Sequence, residues 1–342
     1  MRAREGICDI VREGRLAFPL FLFSKLLRGN CAFSMDRIKI ISYNVDGLPA
    51  QIDLRLLPWV LRPVAWIYNL VKGTTIVKVN DNQDVEQKAR KIGQIIAKTG
   101  ADIVAVQEDF NYHAEMMSEA GDGYNCATHT GGFDISRLFS TTEWWSRFPL
   151  PRFKADGLNI LTRKNRVKVY HERIIGWERS CGYISHANDL LTHKGFRHYI
   201  VRVGDCPIDL YVVHMDADFY YQSHDAGGDV EARRSQFGQL ADYIKERLLE
   251  GAIRPVIIVG DTNCRMGNVW DDSSDVLRER LDGLREALAV NYTDVDRIFY
   301  INNPLSTYEL AVVSCQFEKS VRLSDHYPLV VEFEVSEREV NP

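Results

Sequence analysis

The chain of 342 residues has no CxxC pair, and its cysteines are odd in number: Cys8, Cys31, Cys126, Cys181, Cys206, Cys264 and Cys315. That spacing fits neither a zinc site nor a disulfide framework and reads as scattered buried thiols. There is no GxSxG nucleophile elbow and no GxxxxGK[ST] loop, so neither an activated serine nor a phosphate-cradling P-loop is signalled. Basic charge is not in excess. Lys and Arg number 42 against 47 Asp and Glu, a formal net charge of −5. Sequence-blind binding of a polyanion usually leaves a basic surplus, so the balance argues weakly against a nucleic-acid substrate. Internal repeats, low-complexity tracts and linkers are also missing. What remains is ordinary globular composition, 45% hydrophobic and 26% charged, in a chain long enough to bury a sizeable core.

Two segments stand apart. In residues 1–35, "RLAFPLFLF" follows Arg12 and Arg15. It reads either as a weak signal-peptide core or as sequence ahead of a true start at Met35. The first reading implies a secreted or periplasmic protein, the second a cytoplasmic one. Residues 54–72, "LRLLPWVLRPVAWIYNLVK", are broken by Arg55, Pro58, Arg62 and Pro63 and make a poor membrane span. They are expected to form a surface helix packed on the core, or a peripheral contact that presents Trp59, Trp66 and Tyr68 to a lipid interface. Trp144-Trp145 offers the same choice between core and rim.

Elsewhere the pattern is strand-rich. Strands are predicted at 37–43, 101–107, 157–163, 166–175, 196–203, 208–214, 254–260, 296–301 and 327–335. Helices are predicted at 84–99, 230–250 and 274–288. In the first helix Val85, Ala89, Ile92, Ile95 and Ile96 recur at helical spacing, and Gly100 ends it. Hairpins are expected for 157–163 with 166–175 and for 196–203 with 208–214. The helix at 84–99 sits where a crossover would. One α/β domain over 36–337, with mixed sheets and outer helices, follows.

Polar residues gather at the ends of these strands. Asn44, Glu108, His214 and Asp261 each stand just past the C-terminal end of a strand, with Asn263 two residues beyond Asp261. Asp296 opens one strand, and Asp325 and His326 precede another. In a mixed sheet the start of an antiparallel strand lies beside the finish of its neighbour, so all of them can share one edge. Singly each is a turn former or a solvated side chain. Six such strand ends together make that bland reading improbable. Carboxylates and amides without thiolates suit a hard cation such as Mg²⁺, Mn²⁺ or Ca²⁺. Two histidines beside a metal suit acid–base work near neutral pH, and the combination describes hydrolysis of a phosphate ester.

The stretches "ISYNVDGLP", "ADIVAVQEDF", "YVVHMDAD", "VIIVGDTN", "DVDRIFY" and "LSDHYPLVVEFEV" resemble, in order, the motifs of the endonuclease/exonuclease/phosphatase superfamily. That superfamily includes pancreatic deoxyribonuclease, apurinic endonucleases, inositol polyphosphate 5-phosphatases and neutral sphingomyelinases. The resemblance covers about 37–335 and implies a four-layer α/β sandwich of two mixed β-sheets with outer helices. It implies a metal-dependent phosphoric ester hydrolase, with Glu108 as principal Mg²⁺ ligand and Asn44 and Asp325 nearby. Asp261 and Asn263 match the pair that orients water and phosphate. His326 matches a general base oriented by Asp325, His214 the phosphate-binding histidine, and Asp296 a supporting acid.

The expected substrate is a lipid or small phosphodiester such as sphingomyelin. "HKGF" at 193–196 is similar to a sphingomyelinase segment, with Lys194 either meeting a phosphate or solvated. "HMDAD" departs from H-L-Q by placing Asp216 where an amide is usual, and Asn111 has no settled counterpart. The alternatives are a nuclease using Arg233-Arg234, Arg163-Lys164 and Arg166, or a non-catalytic binding module. Retention of every carboxylate and both histidines argues against the module. No protein partner is implied.

Overall fold

The structure is a computed structural model that describes residues 36–46, 52–53, 63, 77–78, 83–110, 112–126, 133–134, 152–153, 156–180, 194–217, 227–265, 271–287, 295–320 and 322–338. By contact the chain divides into Met1–Met35 and Asp36–Pro342, and every described residue belongs to the second unit. The expectations for residues 1–35, Trp144-Trp145 and Asn111, and for 54–72 apart from Pro63, lie outside the described residues. Among those described, no helix is long and apolar enough to cross a membrane.

Two six-stranded mixed sheets form the body. Their strands are β1 (Asp36–Asn44), β2 (Ile103–Gln107), β3 (Tyr124–Cys126), β4 (Asn159–Arg163), β5 (Val167–Gly176), β6 (Gly195–Val203), β7 (Cys206–His214), β8 (Val256–Asp261), β9 (Leu284–Ala287), β10 (Asp296–Ile301), β11 (Tyr308–Phe317) and β12 (Leu329–Glu337). The first sheet runs β11-β12-β1-β2-β4-β3 and the second β9-β10-β8-β7-β6-β5. Among the described residues the helices longer than one residue are α1 (Gln83–Thr99), α2 (His113–Ala120), α3 (Gly227–Leu249) and α4 (Asp275–Arg280).

Three apolar clusters stack these elements into four layers. Ile38, Ile40, Val331 and Phe333 of the first sheet meet Leu210, Val212, Val259 and Ile298 of the second. On the outer face of the first sheet, Ile41, Tyr43, Val104 and Val106 pack on Ile92 and Ile96 of α1 and Met116 of α2. On the outer face of the second, Tyr211, Ile258 and Phe299 pack on Phe237, Leu240 and Ile244 of α3 and Leu277 of α4. β1 is therefore apolar on both faces, as a central strand covered on both sides must be. β12 alternates: Leu329, Val331, Phe333 and Val335 are buried, while Val330, Glu332 and Glu334 are half-exposed. Each large apolar side chain buried between the sheets stabilises the fold by about 1.5–3 kcal/mol.

Nine predicted strands are present, and so are the 196–203/208–214 hairpin and the α1 crossover between parallel β1 and β2. The other expected hairpin is not formed. β4 pairs with β2 and β3 in the first sheet, while β5 pairs with β6 in the second. The short turn after Arg163 carries the chain from one sheet to the other, because the register available to each strand is set by distant partners. The predicted helix at 274–288 is also shorter. α4 stops at Arg280, Gly283 takes φ 73, and β9 follows. Strand β9 stands where the helix was expected, and strands β3 and β11 and helix α2 had no prediction.

Candidate active site

The strand register places the polar ends together. β1 and β2 run parallel with Asn44 opposite Gln107, so Glu108 emerges beside Asn44. β7 and β8 run parallel with His214 opposite Asp261, and antiparallel β10 sets Asp296 opposite Asp261. β12 lies antiparallel to β1 with Leu329 opposite Ser42, which brings the turn before it to the same edge. Close approach is needed where β7 meets β8. A Cβ on Gly260, at φ 148, would lie 2.1 Å from the Val213 carbonyl oxygen.

Asp261 is the hub. Asn44 Nδ2 donates to Asp261 Oδ2 at 3.0 Å and to Glu108 Oε1 at 3.0 Å, which ties the two sheets together. The Asn44 oxygen accepts from the Asp46 N–H at 2.9 Å. His214 Nε2 lies 3.6 Å from Asp261 Oδ2 and 3.9 Å from Glu108 Oε1, and His326 Nε2 lies 3.7 Å from Asp261 Oδ2. Asp261 Oδ1 accepts the Asn263 N–H at 2.9 Å, an Asx turn, while Asn263 Nδ2 donates to the Met215 carbonyl at 3.0 Å. Glu108 and Asn263 hold φ of 59 and 49, a left-handed conformation that costs non-glycine residues about 1–3 kcal/mol and clusters at functional sites.

Seven of the eight sequence-identified residues thus converge. Asp325 stands at the rim. Its side chain is 70% exposed, accepts from Ser324 Oγ at 3.2 Å and lies 4.0 Å from His326 Nε2. The expectation that Asp325 orients His326 is corrected: Asp296, fully buried, accepts from His326 Nδ1 at 2.6 Å. Adjacent residues of a turn project to different sides, whereas Asp296 is carried into reach by its register with Asp261.

Charge in the site is strongly partitioned. Burial opposes protonation of His326, but Asp296, Asp261 and Asp325 outweigh it and push its pKa up to about 11. His214 is held well below the usual histidine range by burial and by Lys194. Asp261 resists the upward pull of burial and is lowered by His326, His214 and Lys194. Glu108 goes the other way. Burial raises it to about 7, against the opposing pull of Lys194 and Asn44. At neutral pH His326 is therefore an imidazolium, His214 a neutral imidazole and Asp261 a carboxylate.

Lys194, left open between two readings by the sequence, is 8% exposed and donates to the Met215 carbonyl at 3.0 Å. Its charge bears on Glu108, His214 and Asp261. Trp177, which the sequence did not single out, donates its indole N–H to the His214 carbonyl at 2.8 Å. Only its contact, not its type or spacing, identifies it. Asp216 is fully buried and accepts from Ser180 Oγ at 2.9 Å. Arginines of the basic clusters are engaged in ion pairs. Arg233 meets Asp271 at 2.9 Å, Arg234 meets Asp272, and Arg166 meets Asp36 at 2.7 Å and Asp102 at 3.2 Å.

Among the described residues, no group of three or more His, Cys, Asp and Glu side chains is arranged to hold a metal ion. The donor chemistry still fits one hard cation. Glu108 is a carboxylate with raised pKa, beside the Asn44 side-chain amide and near the Asp261 carboxylate, with no thiolate. Mg²⁺ commonly binds through one or two carboxylates and keeps several waters, so it does not need a full protein cage.

Two face-to-face mixed sheets, with acids, amides and histidines converging at one edge, define the endonuclease/exonuclease/phosphatase sandwich. The chain belongs to that family. The model of the Endonuclease/Exonuclease/phosphatase family matches residues 41–326. Its members hydrolyse phosphoester bonds, and the chain is a hydrolase of that broad class. No curated protein matches the chain. Solved structures share the fold. TDP2 of D. rerio, complexed with a single-strand DNA product, has TM-score 0.53 and 16% identity over 87% of this chain and 99% of its own. Beta toxin of Staphylococcus aureus, in a mutant form with bound magnesium ions, has TM-score 0.54 and 16% identity over 86% and 99%. An endonuclease/exonuclease/phosphatase of Bacteroides vulgatus has TM-score 0.53 and 16% identity over 88% and 100%.

Proposed function

We propose that the protein is a Mg²⁺-dependent phosphodiesterase acting on a lipid or small phosphoester. The observation that carries this reading is the meeting of Asn44, Glu108, His214, Asp261 and His326 within hydrogen-bonding or near-contact distance. Glu108 would hold the cation, with Asn44 beside it. When bound, the ion neutralises phosphoryl oxygens and stabilises the charge that builds in the transition state.

The chain's own groups supply the rest. Asp261, kept ionised, accepts a hydrogen bond from the attacking water and orients it, with the Asn263 N–H fixing its other oxygen. His326 is expected from the sequence to be a general base. An imidazole held protonated up to about 11 is better suited to donating from Nε2 to a phosphoryl oxygen. Asp296 keeps it in that state and orientation. His214, neutral and buried, presents an N–H for the phosphate or the departing oxygen.

The lipid or small-molecule preference rests on the net charge of −5 and on ion pairing of the arginines named above. A nuclease reading has one support, the shared fold of D. rerio TDP2 with its DNA product. One assay separates them. Purified protein with Mg²⁺ is given sphingomyelin vesicles, single-stranded and plasmid DNA, and a chromogenic phosphodiester, each with and without chelator. Chelator-sensitive cleavage of the lipid is expected. Cleavage of DNA alone, falling steeply with added salt, would replace the lipid reading with the nuclease one.

A further inference from the structure

A second group of reactive side chains meets outside the hydrolytic cluster. Cys126 ends β3, Asn159 begins the neighbouring β4, and His113 begins α2. The Asn159 amide brackets the sulfur, with Nδ2 at 3.0 Å and Oδ1 at 3.3 Å from Cys126 Sγ. The same Nδ2 donates to Asp109 Oδ2 at 3.2 Å, and that oxygen also accepts from His113 Nδ1 at 2.5 Å. Cys126 also bears on the charge of the imidazole. Burial opposes charge on the ring, but Asp109 and Cys126 outweigh it and raise it to about 10. A half-buried sulfur thus faces an imidazolium that a buried carboxylate holds in place. Cysteines beside a positive imidazole and an amide donor are the reactive ones, whereas thiols in apolar surroundings are inert.

The other described cysteines provide the contrast. Cys206 and Cys264 are buried. Cys315 is half-buried like Cys126, but burial and Glu286 push its thiol up to about 11.

We propose that Cys126 is a modification site for small hydroperoxides, with His113 as the proton donor. The thiolate sulfur attacks one peroxide oxygen, forming an S–O bond and breaking the O–O bond. Sulfur gives up two electrons and becomes a sulfenic acid. The departing oxyanion takes the proton of the His113 imidazolium and leaves as water or an alcohol. Asn159 holds the sulfur in place, with Nδ2 and Oδ1 both within hydrogen-bonding distance of it.

The test uses the full chain with hydrogen peroxide, dimedone to trap sulfenic acid, and peptide mass spectrometry to read each cysteine. Cys126 is expected to be trapped at least about tenfold faster than Cys315, and His113→Asn to slow Cys126 by about tenfold while leaving Cys315 unchanged. Trapping of Cys126 no faster than Cys315, or a rate indifferent to His113→Asn, overturns the proposal. Should His113→Asn fail to fold, the comparison with Cys315 in the unaltered chain decides alone. Neither readout depends on hydrolysis.

Discussion

Replacing Asp296 by Asn bears most directly on how the site holds its charge. Asp296 is fully buried and its Oδ2 accepts from His326 Nδ1 at 2.6 Å. Asparagine has the same shape, and its amide oxygen still accepts that hydrogen bond, so the change removes charge and little else. Against the opposing effect of burial, Asp296 is the foremost group lifting His326 from 6.5 to about 11. The sign follows. The folded value lies above the unfolded one, so the stabilisation is complete below about 6.5 and is lost as pH rises through about 11. Removing one partner of a buried pair costs about 3–5 kcal/mol. In a domain of this size that lowers Tm by about 5–8 °C at pH 6. The gap should narrow at pH 9, where the variant's imidazole sheds its proton easily and the native pair has already lost part of its advantage. Scanning calorimetry at both pH values, with an NMR titration of His326, reads the effect. Equal Tm values within about 1 °C and a His326 titration still near 11 would refute the argument.

Other outcomes follow from the same geometry. Glu108 titrates near 7 when folded, above its ordinary 4.5, so the stability its protonated form confers is whole below about 4.5 and is lost as pH rises through 7. Without metal, Glu108→Gln should therefore be more stable than the native chain at pH 8, by at most about 3 kcal/mol, and indistinguishable near pH 4; calorimetry across that range checks it. Added Mg²⁺ should raise the Tm of the native chain at pH 8 and leave that of Glu108→Gln unmoved. Gly260→Ala drives a Cβ into the Val213 carbonyl and should lower both Tm and turnover, since β7 and β8 are pushed apart immediately before His214 and Asp261. An alanine at 260 with unchanged turnover would show that this close approach is not needed.

Much of this was legible in the sequence, for a definable reason. A strand that ends in a polar residue reports its own sheet edge, and Asn44, Glu108, His214 and Asp261 each did so. What the sequence hid depends on partners far along the chain. The turn after Arg163 looks like a hairpin locally, yet β4 and β5 join different sheets. Asp325 is the chain neighbour of His326, but Asp296, 30 residues earlier, is its partner in space. β11 escaped prediction because its side chains are mostly exposed or half-exposed at a sheet edge, which blurs the two-residue alternation. Helix α4 was overextended although Gly283 marked the break. The protonation of His326 was invisible in the sequence, because it is set by three carboxylates that only the fold assembles.

The most direct trial is the hydrolysis of bis(4-nitrophenyl) phosphate with Mg²⁺ by the native chain and by Asp261→Asn. Asp261 touches or nearly touches Asn44, His214, His326 and the Asn263 backbone. The variant should lose about a hundredfold to ten-thousandfold in turnover while keeping the native circular dichroism spectrum. Turnover within a few fold of the native rate would mean that these side chains meet without forming a hydrolytic centre.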